Sequence, residues 1–168
     1  MSTVMKRLVV LLGVATLWPQ VAFAAGNSST ATGTAVATVV SPLTIQHSTG
    51  TTLNFGKFTA GTGGTVVVTP ASAGSTTAGV AFVPGSSVQA DQFFLTGDPN
   101  RNFAIAASGG TISAGASSMN FSVSLAASTG TLDPHGYGNF FVGGTLTVAN
   151  NQAVGSYTGS YSVTVTYN

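Results

Sequence analysis

Apolar and polar positions alternate most strictly at the C-terminal end of the chain. Tyr157, Gly159, Tyr161, Val163, Val165 and Tyr167 fall on one face of an extended run, and Ser156, Thr158, Ser160, Ser162, Thr164 and Thr166 fall on the other. A period of two sustained over this length predicts a strand with a fixed register, because a slip of one residue would bury the hydroxyls and expose the tyrosines. Tyr161 and Val163 are therefore expected to face a core. Gly159, inside the row, is expected to mark a bulge or a close backbone approach. Weaker runs of the same kind predict strands over 35–46, 52–58, 65–69, 79–83, 92–96, 102–107, 119–125 and 140–148, before the strict one over 156–167. Clusters of Gly, Pro, Asn and Ser separate them, at 61–64, 71–77, 97–100, 109–110 and 128–139. Pro42 lies inside the first run and places it on an edge or where a strand changes sheet.

Composition agrees with the pattern. Thr occurs 25 times and Gly 22 times; the first is β-branched and the second costs roughly 1 kcal/mol in a helix interior. Beyond the N-terminal leader no eleven-residue stretch has a helical period. Nine short strands at this spacing fit an all-β, immunoglobulin-like antiparallel sandwich of about seven to nine strands. Phe55, Phe58, Phe82, Phe93, Phe103, Phe121 and Phe140 each lie in a strand run and are its expected core.

The first residues read differently. Lys6 and Arg7 precede a largely apolar run from Leu8 to Trp18, and Ala22-Phe23-Ala24 follows. This is the layout of a secretory signal peptide, with cleavage expected after Ala24. The apolar run is too short to span a bilayer, which takes ~20 residues. The expected organisation is a signal peptide over 1–24, a polar tail or donor strand over 25–34, and one sandwich over 35–168. An exported protein, at the cell surface, outside the cell or in the periplasm, follows from that reading.

Without the leader, Lys57 and Arg101 stand against Asp91, Asp98 and Asp133, and no Glu occurs anywhere. Two scattered cations do not neutralise the ~6–10 phosphates that tight nucleic-acid binding needs, so nucleic acid is not an expected partner. With no Cys, a lipid-modified N-terminal anchor, a disulfide framework and a thiolate metal site are all excluded.

Candidate chemistry is sparse. His135 lies in Asp133-Pro134-His135-Gly136-Tyr137-Gly138, which reads as turn chemistry, and no Gly-x-Ser-x-Gly nucleophile elbow accompanies it. His47 reads as a surface histidine at a strand end, and two lone histidines do not make a metal site. Asp91 and Asp98 lie toward opposite ends of one expected strand, roughly 20 Å apart at ~3.3 Å per residue, too far for a glycosidase pair. Gly63-Gly64 and Gly143-Gly144 match no phosphate-binding signature. No catalytic, metal or cofactor residue is assigned, and an enzyme is not expected. Tyr137 is the candidate for stacking on a ligand.

Val142-Gly143-Gly144-Thr145-Leu146-Thr147-Val148 and the run from Ala153 to Tyr167, with Val40-Ser41-Pro42-Leu43-Thr44-Ile45, Leu53-Asn54-Phe55-Gly56-Lys57-Phe58 and Phe93-Phe94-Leu95-Thr96-Gly97, carry a resemblance. The chain resembles a family of small exported bacterial proteins catalogued as a domain of unknown function. That family in turn is similar to spore-coat-U-like and chaperone–usher pilin subunits, immunoglobulin-like sandwiches that assemble by donor-strand exchange. The resemblance implies a structural subunit of a surface filament or extracellular matrix, with copies of itself or related subunits, a periplasmic chaperone and an outer-membrane usher as partners. It places Ala31, Gly33 and Ala35 on the donor strand, and Tyr161, Val163, Val165 and Tyr167 on the C-terminal assembly strand. The alternatives are an adhesin or glycan-binding module and, behind it, a secreted enzyme.

Overall fold

A computed structural model describes residue 26 and residues 28–168. The expected signal peptide over 1–24 lies outside the described residues, and so does Ala25. Residues 28–37 carry no strand or helix, and Ala31, Gly33 and Ala35 among them are exposed. Residues 38–168 form a separate compact unit.

The described residues hold thirteen strands, all paired antiparallel, and no helix. They are β1 (Thr44–His47), β2 (Phe58–Thr59), β3 (Gly64–Val68), β4 (Gly74–Thr76), β5 (Ala81–Phe82), β6 (Asp91–Thr96), β7 (Asn102–Ser108), β8 (Gly110–Ala114), β9 (Ser117–Leu125), β10 (Thr129–Thr131), β11 (Tyr137–Val148), β12 (Thr158–Gly159) and β13 (Ser162–Tyr167). The large sheet runs β1-β6-β11-β9-β8-β12, with the β3–β4 hairpin also attached to β11. A three-stranded sheet, β10-β7-β13, and the short β2–β5 pair complete an antiparallel β-sandwich.

β11 organises the large sheet. Its first half, Tyr137 to Val142, pairs with β6, its second half, Gly144 to Val148, with β3, and Val142 to Leu146 with β9. Gly143-Gly144 marks the change of partner. A Cβ on Gly143 would collide with the Val68 carbonyl oxygen, and one on Gly144 would lie 2.6 Å from that of Ser122. The glycine pair is a packing device, since neither position has room for a side chain.

Two apolar clusters fill the sandwich. The larger one gathers Phe55, Val66, Val68, Val80, Met119, Phe121, Leu146 and Val148, with Phe58, Phe82, Tyr157 and Tyr161 packed against it. The smaller one is Leu95, Phe103, Ile105 and Leu132, covered by Leu43, Leu125, Phe140, Val163, Val165 and Tyr167. Phe93, the remaining ring of the expected core, stacks on Phe140 at 5.4 Å between centroids.

Several expected strand limits are corrected. The run over 35–46 is a strand only from Thr44 to His47, because Pro42 lacks an N–H for the ladder and restricts Ser41 before it. The run over 52–58 makes a single bridge, Asn54 to Gln89, before β2; Gly56 breaks it, with φ at +76°. The expected breakers at 71–77, 109–110 and 128–139 contain β4, the start of β8, and β10 with the first residues of β11. Hairpin partners made of Gly, Ser and Thr carry no apolar alternation, so their pairing is set by the strands they flank. The run over 156–167 keeps its predicted faces but divides into β12 and β13.

Candidate functional site

That division is the structural event from which the site is built. Thr158 and Gly159 pair with β8 in the large sheet, whereas Ser162 to Tyr167 pair with β7 in the small one. The chain crosses between sheets at Ser160 and Tyr161. Gly159 permits the approach, since a Cβ there would collide with the Thr111 carbonyl oxygen.

Tyr161 is fastened at the crossing. Its hydroxyl donates to Asp91 Oδ2 at 2.7 Å, and its ring stands edge-on to Phe93 and Phe121. Asp91 is 4% exposed. Its other oxygen accepts from His47 Nε2 at 2.6 Å, Thr51 Oγ1 at 3.0 Å and the Gln92 amide at 3.0 Å. The register explains the meeting: His47 lies directly opposite Phe93, hence diagonal to Asp91 on the same inward face. A buried carboxylate persists only when its lone pairs are taken, and here three side chains and one amide take them. Burial, and then the hydrogen bond to and charge of Asp91, hold the Tyr161 phenol well above its ordinary pKa. Both oxygens of Asp91 are occupied by donors, so the cluster binds segments together and leaves no free base facing a nucleophile.

Past the crossing, β13 is the outer strand of its sheet. The Asn168 amide donates to the Asn102 carbonyl, so even-numbered residues of this segment turn their main-chain groups toward β7. The N–H and C=O groups of Val163, Val165 and Tyr167 turn the other way. Among the described residues no strand pairs with that edge. The same three side chains point inward onto the smaller cluster and remain half-buried. Tyr167 pins the end of the strand: its hydroxyl donates to the Ser41 carbonyl at 3.0 Å and accepts from the Asp98 amide at 2.6 Å. The Arg101 guanidinium lies 5.1 Å from the centre of its ring, within cation–π range.

Residues 43–167 match the family model described as a domain of unknown function, DUF4402. The chain belongs to this family. The match spans Leu43, which packs on the smaller cluster, to Tyr167, the last residue of β13, so the free edge lies inside the DUF4402 domain. Ala31, Gly33 and Ala35 precede it. No curated protein and no solved structure matches the chain.

The remaining candidates of the DUF4402 chain fall as follows. Asp133 Oδ1 accepts the amides of His135 and Tyr137 at 2.8 Å each, which is turn chemistry. The bond from Tyr137 first, with lesser help from the His135 amide and charge and the Gly136 amide, holds its carboxyl below the ordinary value against the opposing effect of desolvation. His47 ends β1 with 46% of its side chain exposed, as expected for a strand-end histidine, but its bond to Asp91 was not foreseen. Tyr137 opens β11 with 60% of its surface exposed. Two further exposed rings, Phe94 and Phe141, were missed. The Phe93-Phe94 and Phe140-Phe141 doublets carried the signal, because adjacent strand residues point to opposite faces and one ring of each must leave the core.

Proposed function

We propose that this protein is an exported, non-enzymatic structural subunit of a bacterial surface filament or extracellular matrix, joined to its neighbours by strand addition at the free edge of β13. The observation that carries this reading is the outward row of main-chain groups at Val163, Val165 and Tyr167 beside half-buried apolar side chains. An added strand would satisfy those groups and cover the flank of the smaller cluster. The pilin resemblance of the C-terminal run points the same way, and the leader through Ala24 supplies a route of export. With so few charges, packed copies repel one another little.

The donor in this reading is residues 30–36 of another copy, through Ala31, Gly33 and Ala35. Such short side chains contribute little at ~25 cal/mol per Å² of apolar area. Affinity then comes mainly from the main-chain ladder.

The test is electron microscopy and sedimentation velocity of protein beginning at Ala25, over rising concentration. Polymers are expected for the wild type. Deleting residues 25–36, or Gly33→Pro, is expected to abolish them while the β circular dichroism persists. Val165→Pro removes an N–H from the free edge and leaves the bonds to β7 through Thr164 and Thr166, so it is expected to do the same. A wild type that stays monomeric at every concentration, or variants that polymerise equally, would overturn the proposal.

A further inference from the structure

We propose that the outer face of β1, β6 and β11 is a binding platform for a neutral polysaccharide. The register places its parts. Tyr137 lies opposite Thr96, Asn139 opposite Phe94, and Phe141 opposite Gln92, while Thr44 and Gln46 of β1 lie opposite Thr96 and Phe94. Residues directly opposite each other share a face, and the other set, Asp91, Phe93, Leu95 and Val142, points inward. The outward set therefore holds Tyr137, Phe94 and Phe141, exposed to 60%, 44% and 41%. Tyr137 and Phe141 stand ~13 Å apart along one strand, with Phe94 between them on a strand ~4.8 Å away.

Each ring has a neutral hydrogen-bonding side chain directly opposite it: Thr96 for Tyr137, Gln46 and Asn139 for Phe94, Gln92 for Phe141. A sugar ring has a face of C–H groups and a rim of hydroxyls. Stacking covers the first on an aromatic plane, and amides exchange hydrogen bonds with the second. The platform carries no charged side chain, which selects an uncharged ligand. Asn139 and Phe141 also border a cleft of about 660 Å³ at the edge of β11, whose other walls are Ser72, Thr129 and Thr131 together with the apolar Phe103, Ile105 and Phe140. Room for a bound chain thus continues past the edge of the platform.

The alternative occupant, a second copy of the protein, is poorly matched by area. Three rings of ~200 Å² each, exposed to this degree, offer roughly 300 Å² of aromatic surface, well under half of the ~800 Å² per partner in a stable interface, and the rest of the face is the polar Thr, Gln and Asn side chains. The platform makes no use of the β13 edge, so its fate is separate from that of filament assembly.

The experiment is retention on microcrystalline cellulose, chitin and curdlan, and retardation in gels containing amylose or mixed-linkage β-glucan, with sedimentation velocity in parallel. At least one of these is expected to bind the wild type. Phe94→Ala and Phe141→Ala are each expected to weaken binding about tenfold, the scale of one lost aromatic contact. Tyr137→Phe, which keeps the ring, is expected to bind as the wild type does. Phe141→Leu separates stacking from general apolar adhesion: it keeps an apolar side chain but removes the ring, and is expected to lose as much as Phe141→Ala. Unchanged circular dichroism and melting exclude misfolding. Absence of binding to all five polysaccharides, equal binding by all variants, or a self-association abolished by the same substitutions would overturn the proposal.

Discussion

Removing the Tyr161 side chain tests the crossing between sheets and the buried carboxylate together. Tyr161→Ala deletes two edge-to-face contacts, to Phe93 and Phe121, each worth about 0.5–1.5 kcal/mol. It also withdraws the donor to Asp91 Oδ2, and an under-satisfied buried acceptor costs about 1–3 kcal/mol. These contributions overlap rather than add, and with the lost burial of a half-buried ring the expected total is about 3–5 kcal/mol, the range for a large aromatic truncation. Tyr161→Phe keeps both ring contacts and loses only the donor, so about 1–3 kcal/mol is expected. Thr164→Ala, on the solvent face of the same segment, should cost less than ~1 kcal/mol. Urea melts at a common slope read all three from the midpoint. Equal losses for Tyr161→Ala and Thr164→Ala would refute the register, and a neutral Tyr161→Phe would refute the role of Asp91.

The same phenol gives a pH signature. Its folded pKa lies above the unfolded value of ~10, so its contribution is complete below pH ~10 and is lost as pH rises beyond it; wild type is expected to lose stability there by more than Tyr161→Phe, and parallel loss in the two would contradict this. Gly159→Ala forces a Cβ against the Thr111 carbonyl and is expected to cost about 1–3 kcal/mol by overpacking, seen as a lower urea midpoint. Tyr167→Phe leaves the Ser41 carbonyl and Asp98 amide without their shared partner and is expected to cost about 1 kcal/mol in the same melts. Mass spectrometry of exported protein is expected to give an N-terminus at Ala25, within one or two residues; an intact Met1 leader would refute export by this route.

The sandwich was legible because burial on one face leaves a period of two in the sequence, and that period survives in β6, β7, β9, β11 and the last segment. β4 and β10 were not legible, since Gly, Ser and Thr serve equally in a turn or in a strand held by its neighbour, and β8 offers Ile112 as its one large apolar residue. The last segment shows the limit most clearly. Its two faces were read correctly through Tyr157, Tyr161, Val163, Val165 and Tyr167, yet alternation is blind to which sheet a strand joins. The crossing at Ser160 and Tyr161 is decided by a partner seventy residues away, Asp91, whose burial no local pattern announces. A carboxylate flanked by Ala90 and Gln92 looks like a solvated one until β1 brings His47 beside it.

That dependence bears on assembly. β13 faces outward on one edge because Tyr161 carries it away from β8 and into the sheet of β7, where it is last in order. Asp91, His47 and Thr51 hold the near end of this strand, and Ser41, Asp98 and Arg101 hold the far end through Tyr167. An edge strand fixed at both ends stays in place whether or not a neighbour has paired with it, so strand addition would not have to order it first. Ordering is a large part of what association costs. If the donor is the segment we propose, with side chains as short as Ala31, Gly33 and Ala35, the acceptor's rigidity is the factor in this fold that would let a ladder of main-chain bonds suffice.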